Sequence, residues 1–264
     1  MSPLTVPYFE AAEHTFPVDR LNEVLSQVER DVRTQALLEA QNVNPVVRLR
    51  FNDHGPKHIE TVLHRAIELY DLLKAGDIGF NGATDHGLDE ADEAVIVALG
   101  AIFHDIGHVI HRDRHTDHSI PLAIDRLTPI LEEVYEPAVA MRLMGEVLHA
   151  ILCHHTEESP LTKEAGVVRI ADALDMERGR SRIPYEHGGR GINTISSRAI
   201  QSVNIKPGNE RPVSIEIEMT SAAGIYQVDE LLKSKVTDSR LEECIRIVAI
   251  KVDEEDQLID RIEL

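Results

Sequence analysis

The chain has 264 residues, 42% of them hydrophobic, which excludes a disordered polymer and allows one sizeable core with room for a small second unit. Forty-six acids against 27 bases leave a formal net charge of −19, so the surface repels nucleic-acid phosphates and anionic membranes. No uninterrupted apolar run approaches the ~20 residues that span a bilayer, and the two cysteines form no CxxC pattern, which together with an N-terminus lacking an apolar signal core predicts a reduced, cytoplasmic setting.

Aromatics are only 4% and Trp is absent, so the core must be Leu, Ile, Val and Ala, a composition that suits packed helices. From the N-terminus, "VDRLNEVLSQVERDVRTQALLEA" places Val18, Leu21, Val24, Leu25, Val28 and Val32 on one helical face. A second helix is predicted from Pro56, with Ile59, Val62, Leu63, Ala66, Ile67 and Tyr70 apolar and Gly76 as its stop. "GDIGFNGATDHG" reads as a loop, and "LDEADEAVIVALGAIFHDIGH" as a third helix, acidic at its start as the helix dipole prefers. "SIPLAIDRLTPIL", "PAVAMRLMGEVLHAILCHH" and "TKEAGVVRIADALDMERGR" continue the helical pattern to about residue 182.

After Arg182 the pattern changes. "VSIEIEM" alternates with period two, "IYQVDELLKSKV" returns to helix, and "IRIVAIKV" and "QLIDRIEL" read as strands. The expected architecture is mainly α, with a helical body over 1–194 and a small α+β unit over 195–264.

Twelve of the 14 histidines lie between His54 and His155. His14, His86 and His187 fall in loops or near termini, and His64 and His149 on helices, where a solvated or supporting role suffices. His104-Asp105 is different, because it ends an apolar helix, where a carboxylate is costly to bury without a cation or strong hydrogen bonds. Adjacent helical residues diverge by ~100°, so both can reach one ion only if other helices supply the remaining ligands. His58 in the first turn of one apolar helix, and Asp172 inside "VVRIADALDM", are polar groups on core-forming helices. Together with His104 and Asp105 they make a nitrogen-and-oxygen set suited to a transition metal.

The order His58, His104-Asp105, Asp172, in the contexts "HIETVLHRAIEL", "LGAIFHDIGH" and "RIADALD", resembles the HD-domain superfamily of metal-dependent phosphohydrolases over roughly residues 50–182. The resemblance implies a helical fold with a central metal site. In the extended, two-ion version, added histidines lie between the doublet and the last aspartate. On that resemblance His118 and His154 are assigned to a second ion, with Asp105 bridging. His155 is the alternative to His154, and His54 either adds a further ligand or is a loop histidine. The ions implied are divalent transition metals, Mn, Fe, Co or Ni, with Zn and Mg also compatible.

Relatives often carry a Lys three residues after the doublet's aspartate. Here His108 stands in that place, able to contact phosphate or protonate a leaving oxygen. The Gly-Tyr-Pro signature of cyclic-dinucleotide enzymes is missing after "CHHTEES", so that activity is not assigned. Arg178 and Arg182, in "MERGRSRIPYEHGGRG", are the candidate phosphate contacts, since Arg binds phosphate bidentately. His111 and His115 either line the same cleft or are solvated loop residues, and the loop reading is preferred.

The expected function is hydrolysis of a small phosphorylated molecule, a nucleotide by preference, without membrane or nucleic acid. The alternatives are a nucleotide sensor, with the C-terminal unit as its regulatory or homodimer-forming part, and a di-iron oxygenase on the same ligand set.

Overall fold

The N-terminal amphipathic stretch is two helices where the apolar spacing predicts one. In α1 (Asp19–Arg30) Leu21, Val24, Leu25 and Val28 are buried, and α2 (Val32–Ala40) starts afresh behind Asp31. The Asp31 backbone is extended, and its carboxylate accepts from the amides of Arg33 and Thr34, the capping that lets a new helix begin. The computed structural model from which this architecture is read describes residues 3–155, 157–177, 196–252 and 258–263.

Helix α3 (Pro56–Ala75) follows the prediction, with Pro in its first turn and Gly76 at its end. The segment expected to be a loop contains a short helix, α4 (Asn81–His86). Its first amides are satisfied from elsewhere in the chain: Glu164 accepts from Gly82 at 2.6 Å and Glu93 from Ala83 at 3.0 Å. Both carboxylates are fully buried. A short polar stretch held by distant acids carries no periodic signal of its own.

Helix α5 (Glu90–Phe103) opens on a reciprocal Asp89–Asp92 capping box and is buried at every position but Glu90. A helix apolar all round is a central one, and α5 touches α1, α3, α7 and α8. After it come a 3-10 turn (Ile106–Val109) and the helices α6 (His115–Val134), α7 (Pro137–Cys153) and α8 (Lys163–Leu174). Helix α6 begins a turn earlier than the apolar pattern suggests, behind Arg114 in a left-handed conformation. Gly107 allows the 3-10 turn to lie against it, since a Cβ there would stand 2.0 Å from the His115 carbonyl oxygen.

The C-terminal strands form one sheet in the order β1 (Ile200–Pro207), β2 (Val213–Met219), β3 (Ile245–Val252), β4 (Leu258–Glu263). Strands β1 and β2 are antiparallel, with Ile205 opposite Ile215; β2 and β3 are parallel, with Ile215 opposite Ile247; β3 and β4 are antiparallel. Strand β2 shows the expected alternation of buried and half-buried residues. Strand β1 was not foreseen, because its pattern is broken by a bulge between Ile200 and Ser202, and of its eight residues only Ile200 and Ile205 are buried.

The parallel β2–β3 pair requires a crossover. It contains a π-helical segment (Gln227–Lys233) running into α9 (Ser234–Thr237), and this crossover packs on α8. One apolar cluster joins the helices to the sheet and crossover, including Leu63, Leu174, Ile200, Ile215, Val228 and Leu232, so the core crosses the predicted boundary at residue 195. Among the described residues no helix is long and apolar enough to cross a membrane.

Candidate metal centre

Helix ends bring the site together. His104 and Asp105 follow the last residue of α5, His58 is in the first turn of α3, and His115 is the first residue of α6. His154 follows α7, while Asp172 lies in the last turn of α8 with Asp175 just beyond it. Apolar faces fix each helix in the core and leave its polar terminus directed at the same point.

Asp105 is at the centre, 2% exposed. Its Oδ2 is 3.4 Å from His58 Nε2 and 3.3 Å from His104 Nε2. Its Oδ1 is 3.3 Å from His115 Nε2 and 3.6 Å from His154 Nε2. Asp172 Oδ1 joins the first pair, 3.5 Å from His58 Nε2 and 3.8 Å from His104 Nε2.

The other nitrogen of each ring shows what these four Nε2 atoms are for. The Nδ1 atoms of His104, His115 and His154 face the carbonyl oxygens of Ala101, Arg112 and Ile151 at 2.8, 3.0 and 2.7 Å. A carbonyl only accepts, so each Nδ1 carries the proton and donates it. His58 Nδ1 donates to Asp175 Oδ2 at 2.6 Å. The Nε2 lone pairs are left pointing inward, with His58 and His104 Nε2 3.1 Å apart and His115 and His154 Nε2 3.2 Å apart. Two lone pairs facing each other at that distance repel unless a cation lies against them. The fixed tautomer with an oriented second nitrogen is the usual dress of a metal-binding imidazole. The donors therefore divide into two sets that share Asp105: His58, His104 and Oδ2 on one side, with Asp172 Oδ1 against the same two rings, and His115, His154 and Oδ1 on the other.

The charge balance agrees with this. Burial opposes ionisation of Asp105, but His104, His54 and His108 outweigh it and hold the carboxyl well below its ordinary value. Burial lowers His115 to about 3, with His154 and His108 adding to the effect and Asp105 opposing it. Burial likewise lowers His154. An ionised Asp105 beside His115 and His154, both held toward the neutral form, is the pairing that a divalent ion needs.

A third group of donors flanks Asp105. His54 Nδ1 is 2.6 Å from Asp105 Oδ2, and His108 Nε2 is 3.4 Å from Oδ1. His108 is 2% exposed, neither of its ring nitrogens has a hydrogen-bond partner among the described residues, and it stacks on His115 with ring centroids 4.3 Å apart. Buried amides brace both residues: the Gln41 side chain donates to the His54 carbonyl, Asn42 Oδ1 accepts from the His54 amide at 2.8 Å, and Asn44 donates to the His108 carbonyl at 2.7 Å.

These groups open into a cavity of about 540 Å³, walled by the residues before α3, the start of α6, the end of α8 and the Gln227–Thr237 crossover. Its described lining holds six carboxylates against three Lys or Arg side chains. Lys235, from the crossover, reaches Asp172 Oδ2 at 2.7 Å. At the mouth, the Arg112 guanidinium lies 4.1 Å from the ring centroid of the exposed Phe51.

The structure brings together His58, His104, Asp105, His154 and Asp172, five of the six residues predicted as metal ligands. The sixth is His118. It joins none of the donor groups found among the described residues, and His115 stands where it was expected. The earlier start of α6 is the cause, since His118 lies a turn further along, ~4.5 Å at 1.5 Å per residue. Of the His154-His155 pair, His154 faces inward, while His155 is exposed on the cavity lining. His54 faces the centre. His111 is exposed, whereas His115, taken from sequence as a loop residue, is in the cluster. Arg178 and Arg182 lie outside the described residues. Sequence reasoning missed Asp175, although an acid three residues past Asp172 was a visible cue, and it missed Lys235, which has no local cue.

The sequence profile of the HD domain matches residues 57–177, the stretch that runs from the start of α3 to just past α8. The chain is also similar to an uncharacterized protein of Methanocaldococcus jannaschii (MJ1020), 36% identical over 239 residues, which covers 90% of this chain and 92% of that relative.

Proposed function

From the premise that the chain belongs to the HD domain family, we propose that it is a metal-dependent phosphohydrolase that cleaves a phosphate ester of a small molecule, a nucleotide by preference. The observation that carries the reading is the sharing of Asp105 between two imidazole pairs, one against each carboxylate oxygen. His58, His104, Asp105 and Asp172 would hold one divalent ion, and Asp105, His115 and His154 a second, with Mn, Fe, Co or Ni suited to these donors. When bound, such ions supply Lewis acidity and a water that ionises near neutral pH.

The chain's own residues do the rest. The cavity lining carries more carboxylates than cationic side chains, so an anion is repelled until dications occupy the donor sets. His108, buried beside Asp105 without a hydrogen-bond partner among the described residues, is placed to hold or release a proton at its Nε2, as general acid–base work requires. The cavity volume of about 540 Å³ falls within the range of roughly 300–1,000 Å³ typical of small-molecule pockets, and the exposed Phe51 ring under Arg112 offers a stacking face for a nucleobase. Phosphate contacts from Arg178 and Arg182, and a cytoplasmic setting, belong to the same reading.

The test is metal analysis of the purified protein, followed by a screen of phosphorylated small molecules with Mn or Co under anaerobic conditions. Two ions per chain and phosphate release without oxygen are expected. Turnover that requires iron and dioxygen replaces the hydrolase with an oxygenase, and metal loading without any turnover replaces it with a sensor.

A further inference from the structure

We propose that the C-terminal unit completes the substrate site, and that Lys235 is the side chain that binds a phosphoryl oxygen of the substrate beside the metal centre. The inference rests on the phosphohydrolase reading and assigns a role to a part of the chain that the HD domain match does not reach.

The β2–β3 crossover is fixed against α8. Val228, Leu232 and Val236, spaced four residues apart, are buried, and the crossover packs on α8. Asp238, just beyond α9, accepts from Ser159 Oγ at 2.7 Å and from the buried Arg169 at 3.2 Å. Gly166 makes the approach possible, since a Cβ there would stand 2.0 Å from the Ser239 carbonyl oxygen. Glu230, Leu231, Ser234 and Lys235 then form one wall of the cavity. The helix that presents Asp172 to the metal donors is thus the one that positions Lys235.

The Lys235 side chain is 13% exposed, whereas the side chains of Arg112 and Arg114, the other cations on the described lining, are 41% and 75% exposed. Asp172 faces both ways, with Oδ1 toward His58 and His104 and Oδ2 toward the ammonium. An ammonium has three donors, and the Asp172 bond uses one of them. A fixed cation beside two dications is repelled by them. An anion between them removes that conflict, and phosphate, multiply charged and rich in acceptors, meets both sides at once. The competing role is purely structural, in which Lys235 does no more than hold Asp172 in place.

Calorimetric titration of the full-length, Mn-loaded protein with inorganic phosphate separates these roles. Lys235→Gln should weaken phosphate binding about tenfold or more, the loss expected of one charge-assisted hydrogen bond, while bound Mn and melting temperature stay at wild-type values. Lys235→Arg, which keeps the charge, should restore most of the affinity. Wild-type phosphate affinity in Lys235→Gln overturns the proposal. So does a loss of Mn in step with the loss of phosphate, which would reduce Lys235 to a support for Asp172. If the Mn-loaded wild-type protein itself binds no phosphate, the phosphohydrolase reading falls, and this inference with it.

Discussion

The two halves of the histidine cluster use the same donor atoms but hold them differently. On the Oδ2 side of Asp105, His58 is oriented by a carboxylate, Asp175, and a second carboxylate, Asp172, joins the donors. On the Oδ1 side, His115 and His154 are oriented, among the described residues, by the backbone carbonyls of Arg112 and Ile151. A carboxylate behind an imidazole raises its basicity, and an extra anionic donor adds charge attraction. On the proposed two-ion reading, the first half would be the tighter site, and the second the one whose occupancy should follow metal concentration. Equivalent ligands read from sequence conceal this asymmetry, because it depends on what stands behind each ring.

The largest effect tests what the halves share. Asp105→Ala should remove both ions and bring turnover to background while the helical circular dichroism is retained. Metal content measured after dialysis decides the matter, and a metal-free variant with full activity would end the assignment. The next effect isolates the second half. His115→Ala should bind one ion fewer than the wild type, whereas His118→Ala should load normally. The reverse pattern would return His118 to the ligand set.

A subtler change reaches the first half alone. Asp175→Asn should weaken one of two binding events by about 10- to 100-fold, the usual cost of losing a partner behind a ligand, and leave the other untouched. Titration against a competing chelator resolves the two, and equal weakening of both would erase the distinction drawn between the halves.

The smallest effect lies away from the cluster, at the junction that ends near its bracing amides. Burial works against the Asp31 carboxylate, but hydrogen bonds from Thr34 and the Arg33 amide, with Arg126 nearby, hold it below its ordinary value. Asp31→Ala should cost about 0.5–2 kcal/mol in urea unfolding near neutral pH. A lowered folded-state pKa means that this contribution is complete above the unfolded value of roughly 3.9 and is lost as pH falls through the lower folded one. The gap between wild type and variant should close in acid. A gap that persists there would show that the carboxylate charge has no part in the cap.

Much of the helical body was legible from periodicity. Ile59 to Leu73 on α3, and the run through α5, announce buried faces because a 3.6-residue repeat is a local property of the chain. The breaks were harder to see. The cap at Asp31, the start of α6 behind Arg114 and the helix α4 held by Glu93 and Glu164 depend on single side chains or on acids far away in sequence. Strand β1 was hidden by its bulge.

The same division holds at the site. The amino-acid order alone determined that imidazoles and carboxylates end several apolar helices, because polar groups on core-forming segments need a reason to be there. It also determined which family motifs they compose. Only the folded chain decided which rings face inward, that Asp105 presents one oxygen to each pair, that Asp175 stands behind His58, and that Lys235 arrives from a crossover more than sixty residues past Asp172. A residue's type is written in the chain, but the direction of its side chain and the partner it meets are set by packing between segments that local pattern cannot relate.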